Sequence, residues 1–504
     1  MSLEACSPGA TIIPVIISTD KTQLTLFHGK AAYPIYLGIG NIPKDIRRKP
    51  SCFAQMLISY IPTTKLVCIT NKAACCHALA NLFHSCMGKV LDPICTCGET
   101  GLTMLSGDGT WHHCHPIFTT FIGDYPEQTL VMCTLNGCCP KCLIPPNQLG
   151  DYCRFPAQNF AEVINTYDLA DEDTHQFHVT CRTKGLKPVF RPFWYMLPLV
   201  DVFLSITPNI LRQLLQGVIK HITAWLSDPA VFGAVEVDAH CHSLPPNHYI
   251  MLFPNGITTL SHISGKEHKD MCQFLLGLIV DLHLPGRQVA SRVLRAVRML
   301  LNFVHLAQYP SHTTQTLDRL EQCLAQFHKN KAIFFDLGVR NHLNIPKFHS
   351  LLHYGQSITL FGSTDNYNME QSECLHIDFT KDAYRATNRK DEYAQMTAWL
   401  ECHEKIQIHC AFIKRRQQCN LASMPTSMPI GPLQVSAQYL KMAQNPTTKA
   451  VMFGELATQY SAINFQDALA DFVALTNYPG ASAARLRTRA ADTLIPFQSV
   501  PVFH

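Results

Sequence analysis

Two half-sites for one metal ion, set far apart in the chain, constrain its fold more than any other feature. Cys139-Pro-Lys-Cys142 comes early and His349-Ser-Leu-Leu-His353 much later. Two ligands at either spacing can grip one ion, from a turn or from one face of a helix, so a CxxC and an HxxxH together can complete a tetrahedral zinc site. The chain between them must then leave and return, as an insertion does. Acids stand on both sides: Asp20 and Asp124 precede the cysteines, and Glu370 and Glu373 follow the histidines. That order suggests a zinc ion clamping a second, carboxylate-built centre. A redox CxxC is the other reading of the cysteines, but no thioredoxin-like βαβ pattern surrounds them. The histidines have an alternative too, as core residues with satisfied ring nitrogens.

The chain has 504 residues, too many for one ordinary core, so about two or three domains are expected. With 47% hydrophobic residues it can fill such cores, and its net charge of +4 permits nucleic-acid binding without arguing for it. No apolar run approaches the roughly 20 residues of a membrane span. Thr11–Ser18 lacks the charged start of a signal peptide and reads as a buried strand, so a soluble, intracellular protein without membrane partners is expected. The 22 cysteines therefore do not suggest a disulfide framework. No arginine occurs between Arg48 and Arg154, where Cys52, Cys75, Cys76, His77, Cys86, Cys95, Cys97, His112, His113 and Cys114 crowd together. Deamination at methylated CpG turns arginine codons into cysteine or histidine codons, so we read many of these as decayed arginines, with ordinary buried thiols as the alternative. Coding DNA in which CpG is not depleted over this stretch would rule the decay out.

Alternation and apolar runs predict strands over Ile12–Thr19, Gln23–Leu26 and Pro34–Ile39, then a helix over Asn71–Lys89 and a strand over His115–Ile122. Asp20 and Asp124 each follow a strand end, where carboxylates can converge outside a sheet. Gly137–Pro156 is a Pro- and Cys-rich knuckle. Three- and four-residue apolar spacing predicts helices over Ile206–Leu226, with Thr207-Pro208 as its start, and over Lys269–Leu282, Val289–His305 and Thr316–His328. Leu343–Leu360 and Glu370–Arg385 are further helices. The expected parts are 1–160, 161–335, 336–420 and a weakly patterned 421–504.

Several blocks in one order resemble the Plavaka transposases of fungi, relatives of the CACTA (En/Spm-like) DDE transposases. They include Ser18-Thr19-Asp20-Lys21-Thr22-Gln23, Tyr33-Pro34-Ile35-Tyr36-Leu37, Gly123-Asp124-Tyr125-Pro126-Glu127-Gln128, Cys139-Pro140-Lys141-Cys142 and Gln216-Gly217-Val218-Ile219-Lys220-His221. Phe361-Gly362-Ser363-Thr364-Asp365-Asn366-Tyr367-Asn368 and Leu375-His376-Ile377-Asp378 continue the likeness nearly end to end. The resemblance implies an α/β fold, an RNase H-like catalytic core interrupted by a large all-helical insertion. It implies Asp20 and Asp124 as the first two catalytic acids and Glu370 or Glu373 as the third, with Glu370 slightly preferred. Such acids would hold Mg²⁺ (or Mn²⁺) for cleavage and strand transfer. Cys139, Cys142, His349 and His353 would hold a structural Zn²⁺, with Cys138 as a substitute ligand. Double-stranded DNA would be the partner, met by Arg47, Arg48, Lys49, Lys381, Arg385, Arg389 and Lys390, and by Lys414, Arg415 and Arg416. The resemblance also implies a nuclear protein, with a homodimer among the arrangements it allows. The chain departs from the family pattern where Asn209 and Arg212 stand in place of an expected Asp and His. A missing N-terminal zinc-finger-like part and a cut C-terminus suggest a truncated, decayed copy, an inactive or domesticated remnant being the alternative reading.

Overall fold

The five-stranded sheet begins with β1 (Thr11–Thr19), whose Val15, Ile17, Ser18 and Thr19 are all buried, as befits a strand covered on both faces. The structure is a computed structural model and describes residues 9–25, 29–106, 109–245, 247–261, 263–285, 290–422, 448–452 and 499–502. β2 (Thr22–Gln23) and β3 (Ala31–Ala32) form a short ribbon of their own. β4 (Pro34–Ile39), β5 (Gln55–Tyr60), β6 (Leu102–Leu105) and β7 (Trp111–Ile122) join β1 in a five-stranded sheet of order β5-β4-β1-β7-β6. β1 runs antiparallel to β4 and parallel to β7, while the outer pairs β4–β5 and β6–β7 are antiparallel.

A parallel neighbour requires a crossover, and the helix α1 (Lys72–Thr100) lies on it. It opens on Asn71, whose side chain accepts the N–H groups of Ala73 and Ala74. It stops at Gly101, whose φ of +72° suits glycine and where an added Cβ would lie 2.3 Å from the His113 ring. Its inner face sets Ala80, Phe83, Met87 and Leu91 against Val15, Ile17, Phe118 and Phe121 of the sheet.

Three expectations change. The sheet's third strand is β5, whereas only Gln23 of the expected Gln23–Leu26 strand pairs, in the side ribbon, and Leu26 lies outside the described residues. Helix α1 runs past Lys89 to Thr100. The helix expected from Ile206 starts instead at Ile210, capped by Asn209, because Ile206 bridges Phe121 in parallel and the Thr207 hydroxyl donates to the Phe121 carbonyl.

Two large cores divide the first unit, Met1–Cys410. The sheet's core also takes in α2 (Tyr125–Val131), α3 (Phe160–Glu172) and α4 (Thr174–Thr183), with Trp194, Phe203 and Ile206. The second core is helical and begins only at Ile210, so the expected boundary near 160 cuts through the first. It gathers the π-helical stretch Ile210–Ile219, its continuation Lys220–Leu226, and α5 (Gly265–Ile279), α6 (Ser291–Ala307) and α7 (Thr314–Asn330). The chain then returns through α8 (Pro346–Ser350) and α9 (Glu370–His376) to the sheet, where the Tyr36 hydroxyl lies 3.0 Å from His376 Nδ1. α10 (Glu392–Ala422) follows and carries Lys414, Arg415 and Arg416. In the second unit, Ala411–His504, β8 (Thr448–Met452) pairs antiparallel with β9 (Ser499–Val502). No helix among the described residues is long and apolar enough to cross a membrane.

Candidate active site and metal centre

Asp20 and Asp124 lie side by side because β1 and β7 are parallel neighbours in register. Ser18 pairs with Ile122, and each aspartate stands two residues further on, at the carboxyl edge of its strand. Asp124 caps α2, accepting the Glu127 N–H at 3.0 Å. Burial raises the Asp124 carboxyl above its ordinary value; the Glu127 N–H pulls it back and Asp20 adds to the rise. Behind the pair, Glu127 is half-buried, and its carboxyl pKa is pushed up to about 8, chiefly by desolvation. The Tyr33 hydroxyl donates to it at 2.7 Å and the Thr19 hydroxyl at 3.0 Å.

α9 brings its acids in from the far end of the chain, and they part company. Glu373 faces the aspartates through Arg212, whose Nη2 lies 2.6 Å from Glu373 Oε1 and 3.5 Å from Asp20 Oδ2. Burial raises the Glu373 carboxyl, Arg212 lowers it and Asp20 raises it again. One turn earlier, Glu370 is exposed and accepts from the Asn368 amide at 3.0 Å. His376, on the same helix, sets Nε2 3.8 Å from Asp20 Oδ2. The structure thus gathers Asp20, Asp124 and Glu373, and leaves Glu370 on the rim.

The split half-sites meet. Cys139 Sγ lies 3.2 Å from His353 Nε2, Cys142 Sγ 3.2 Å from His349 Nε2, and the two histidine nitrogens are 3.3 Å apart. All four ligand atoms fall within 4.8 Å of one another, the spacing a tetrahedral ion spans, and the soft sulfur and imidazole donors could bind zinc. Cys142 is held as the thiolate by hydrogen bonding from Cys139 and from the two histidines, while burial keeps the Cys139 thiol protonated. The expected single helix over Leu343–Leu360 is broken, His349 lying in α8 and His353 in a following 3₁₀ turn, yet both rings reach the same point. Cys138 is not among the four; its carbonyl accepts from the Tyr125 hydroxyl, tying the knuckle to α2.

Beside Asp124 opens a cleft of about 650 Å³ lined by Arg212, Lys220, His268 and Lys347. Among the cations expected to meet DNA, Arg47 is corrected: it is 6% exposed and its guanidinium donates to the carbonyls of Gly40, Ile42 and Asn366 and to the Asn366 side chain. Arg48 pairs with Asp45 and Arg385 with Asp382, each three residues away. Lys49, Lys381, Arg389 and Lys390 are exposed.

The sequence model of the Plavaka transposase family matches residues 1–226. Over that span, a little under half of its length, the chain is similar to the Plavaka transposases. No curated protein matches the chain. The matched part holds Asp20, Asp124, Cys139, Cys142, Arg212 and Lys220. The histidines and α9 lie beyond it, and only the fold joins them to the rest. Sequence reasoning missed Lys347, although it stands two residues before His349, and gave Lys220 no role although it lies in a family block. It also missed Arg212 as a neighbour of the acids, the departure from the family pattern being the signal that marked it.

Proposed function

We propose that the chain is a metal-dependent DNA transposase of the DDE type, in which Asp20, Asp124 and Glu373 are the catalytic acids. One observation carries the reading: the ends of two adjacent parallel strands and a helix from the far end of the chain deliver three carboxylates to one place. The sheet order and the helical second core between Asp124 and Glu373 support an RNase H-like core with an insertion that starts at Ile210. The donor set is the hard oxygen chemistry Mg²⁺ and Mn²⁺ prefer. Bound there, such ions would stabilise the charge that develops on the attacking and leaving oxygens of a phosphodiester.

The chain's own side chains do the rest. Lys220 and Lys347 offer the cleft wall to DNA phosphates, steering a strand toward Asp124. Arg48, Lys49, Lys381, Arg385, Arg389 and Lys390 would add outlying phosphate contacts. His376, anchored by Tyr36, sets its ring beside Asp20. Zinc held by Cys139, Cys142, His349 and His353 would tie the CxxC knuckle to α8, and with it Lys347 to the cleft. A CACTA relationship, action in the nucleus and a homodimer follow from the same reading. Nicking of supercoiled plasmid by the purified chain in Mn²⁺ tests it. The wild type should nick, and Asp20→Asn and Glu373→Gln should not; equal nicking by all three would refute the assignment.

A further inference from the structure

Within the proposed acid centre, the residue hardest to reconcile with a pair of divalent ions is Arg212. Its guanidinium lies among the carboxylates, 2.6 Å from Glu373 and 3.5 Å from Asp20, and it also lowers the Asp124 carboxyl. The Glu373 contact is an ion pair without hydrogen-bond alignment, and Arg212 Nε has no partner at all. The guanidinium is therefore held among the acids by its charge contacts to Glu373 and Asp20 and by hydrogen bonds from Nη2 to Asp20 and from Nη1 to Gln216.

The fold aims it there. Asn209 caps the π-helical stretch and accepts the Arg212 N–H at 2.9 Å. Gln213 is clamped to Gln128 of α2 at 2.9 Å, and Gln128 in turn donates to the Gly123 and Thr207 carbonyls. Arg212 Nη1 rests on Gln216 at 3.0 Å. The stretch that carries Arg212 is thus locked to the strand end that carries Asp124. The acids, meanwhile, are not drawn together as the cysteines and histidines are: among the described residues only Cys139, Cys142, His349 and His353 bring three or more such ligand atoms within 4.8 Å.

We infer that Arg212 is a resident cation of the acid cluster, occupying the place of a divalent ion's charge and weakening the binding of Mg²⁺ or Mn²⁺ there. A guanidinium does not lose its proton in the working pH range, so the competition persists at any such pH. The inference rests on the reading of Asp20, Asp124 and Glu373 as a divalent-ion site.

Binding of Mn²⁺ to the zinc-loaded chain, followed by loss of the free-ion electron paramagnetic signal, tests it. Arg212→Gln and Arg212→His should bind Mn²⁺ about tenfold or more tightly than the wild type, and Asp20→Asn added to Arg212→Gln should abolish the gain. Retention of one zinc per chain shows that each variant keeps its fold. Equal affinity in the wild type and both single variants overturns the inference and leaves the metal site standing. No saturable binding in any of them, or a gain that survives Asp20→Asn, overturns the site reading and the inference with it.

Discussion

Glu370 and Glu373 lie one helical turn apart and have the same chemistry, yet only Glu373 meets Arg212 and the aspartates. Which turn of a helix faces a partner depends on what packs there, so spacing alone could not choose between them. Glu373→Gln should cut Mn²⁺-dependent nicking by about a hundredfold or more, and Glu370→Gln should leave it within a few fold; a reversed order in single-turnover assays would return the role to Glu370. The strand ends that carry Asp20 and Asp124 were legible because they can be read from apolar runs. The fate of Arg47 was not, because its donors are taken by carbonyls and an amide supplied from 40–42 and 366. A buried histidine gives a pH test. His84 is fully buried against the sheet's core and its basicity is depressed to about 4, by desolvation first. Between about pH 6.5 and 4 the unfolded chain binds a proton that the folded chain refuses, so His84 stabilises at neutral pH and that contribution is lost as pH falls, by about 1.4 kcal/mol per unit. Urea unfolding of wild type and His84→Gln at pH 7 and 5 should show a shallower fall in the variant.

At the scale of elements, α8 carries the most consequence for its length. Its Lys347 lines the cleft beside Asp124 and its His349 faces Cys142, so whatever orders the cysteines also sets the cleft wall. Cys142→Ala should therefore lose the bound zinc, lower the melting temperature by roughly 5 °C or more, and weaken nicking although every acid is intact. Elemental analysis with differential scanning calorimetry checks this; undiminished zinc would exclude Cys142 as a ligand. The π-helical stretch depends on Gly217, where an added Cβ would lie 2.5 Å from Lys347 Cδ and 2.9 Å from the Arg212 carbonyl. Gly217→Ala should cost about 1–3 kcal/mol in denaturant unfolding, the usual range for overpacking. The two half-sites were readable because ligand spacing is a local property. β5 and β6 were not: they are edge strands, half-buried or exposed along nearly their whole length, and lack the apolar alternation that betrays a covered strand.

For the molecule as a whole, two cores meet where the chemistry is proposed. Asp20 and Asp124 leave the sheet's core, Arg212 and Lys220 lie on the first helical stretch of the second, and α9 returns from beyond it. Helical periodicity located the second core but placed its start too early, because α3 and α4 are helices that pack on the sheet; periodicity reports an apolar face without saying what covers it. The cysteines of the arginine-free stretch show the same limit. Cys52 and Cys76 are exposed while Cys114 is buried, so ordinary core thiols account for only some of them. The central claim is that three carboxylates from these separate parts hold divalent ions beside a zinc brace. The most direct measurement is anomalous scattering from crystals of Arg212→Gln soaked in Mn²⁺. The account predicts a manganese peak among Asp20, Asp124 and Glu373 and a zinc peak among Cys139, Cys142, His349 and His353. No manganese peak at the acids, or one at Glu370 instead, would contradict it.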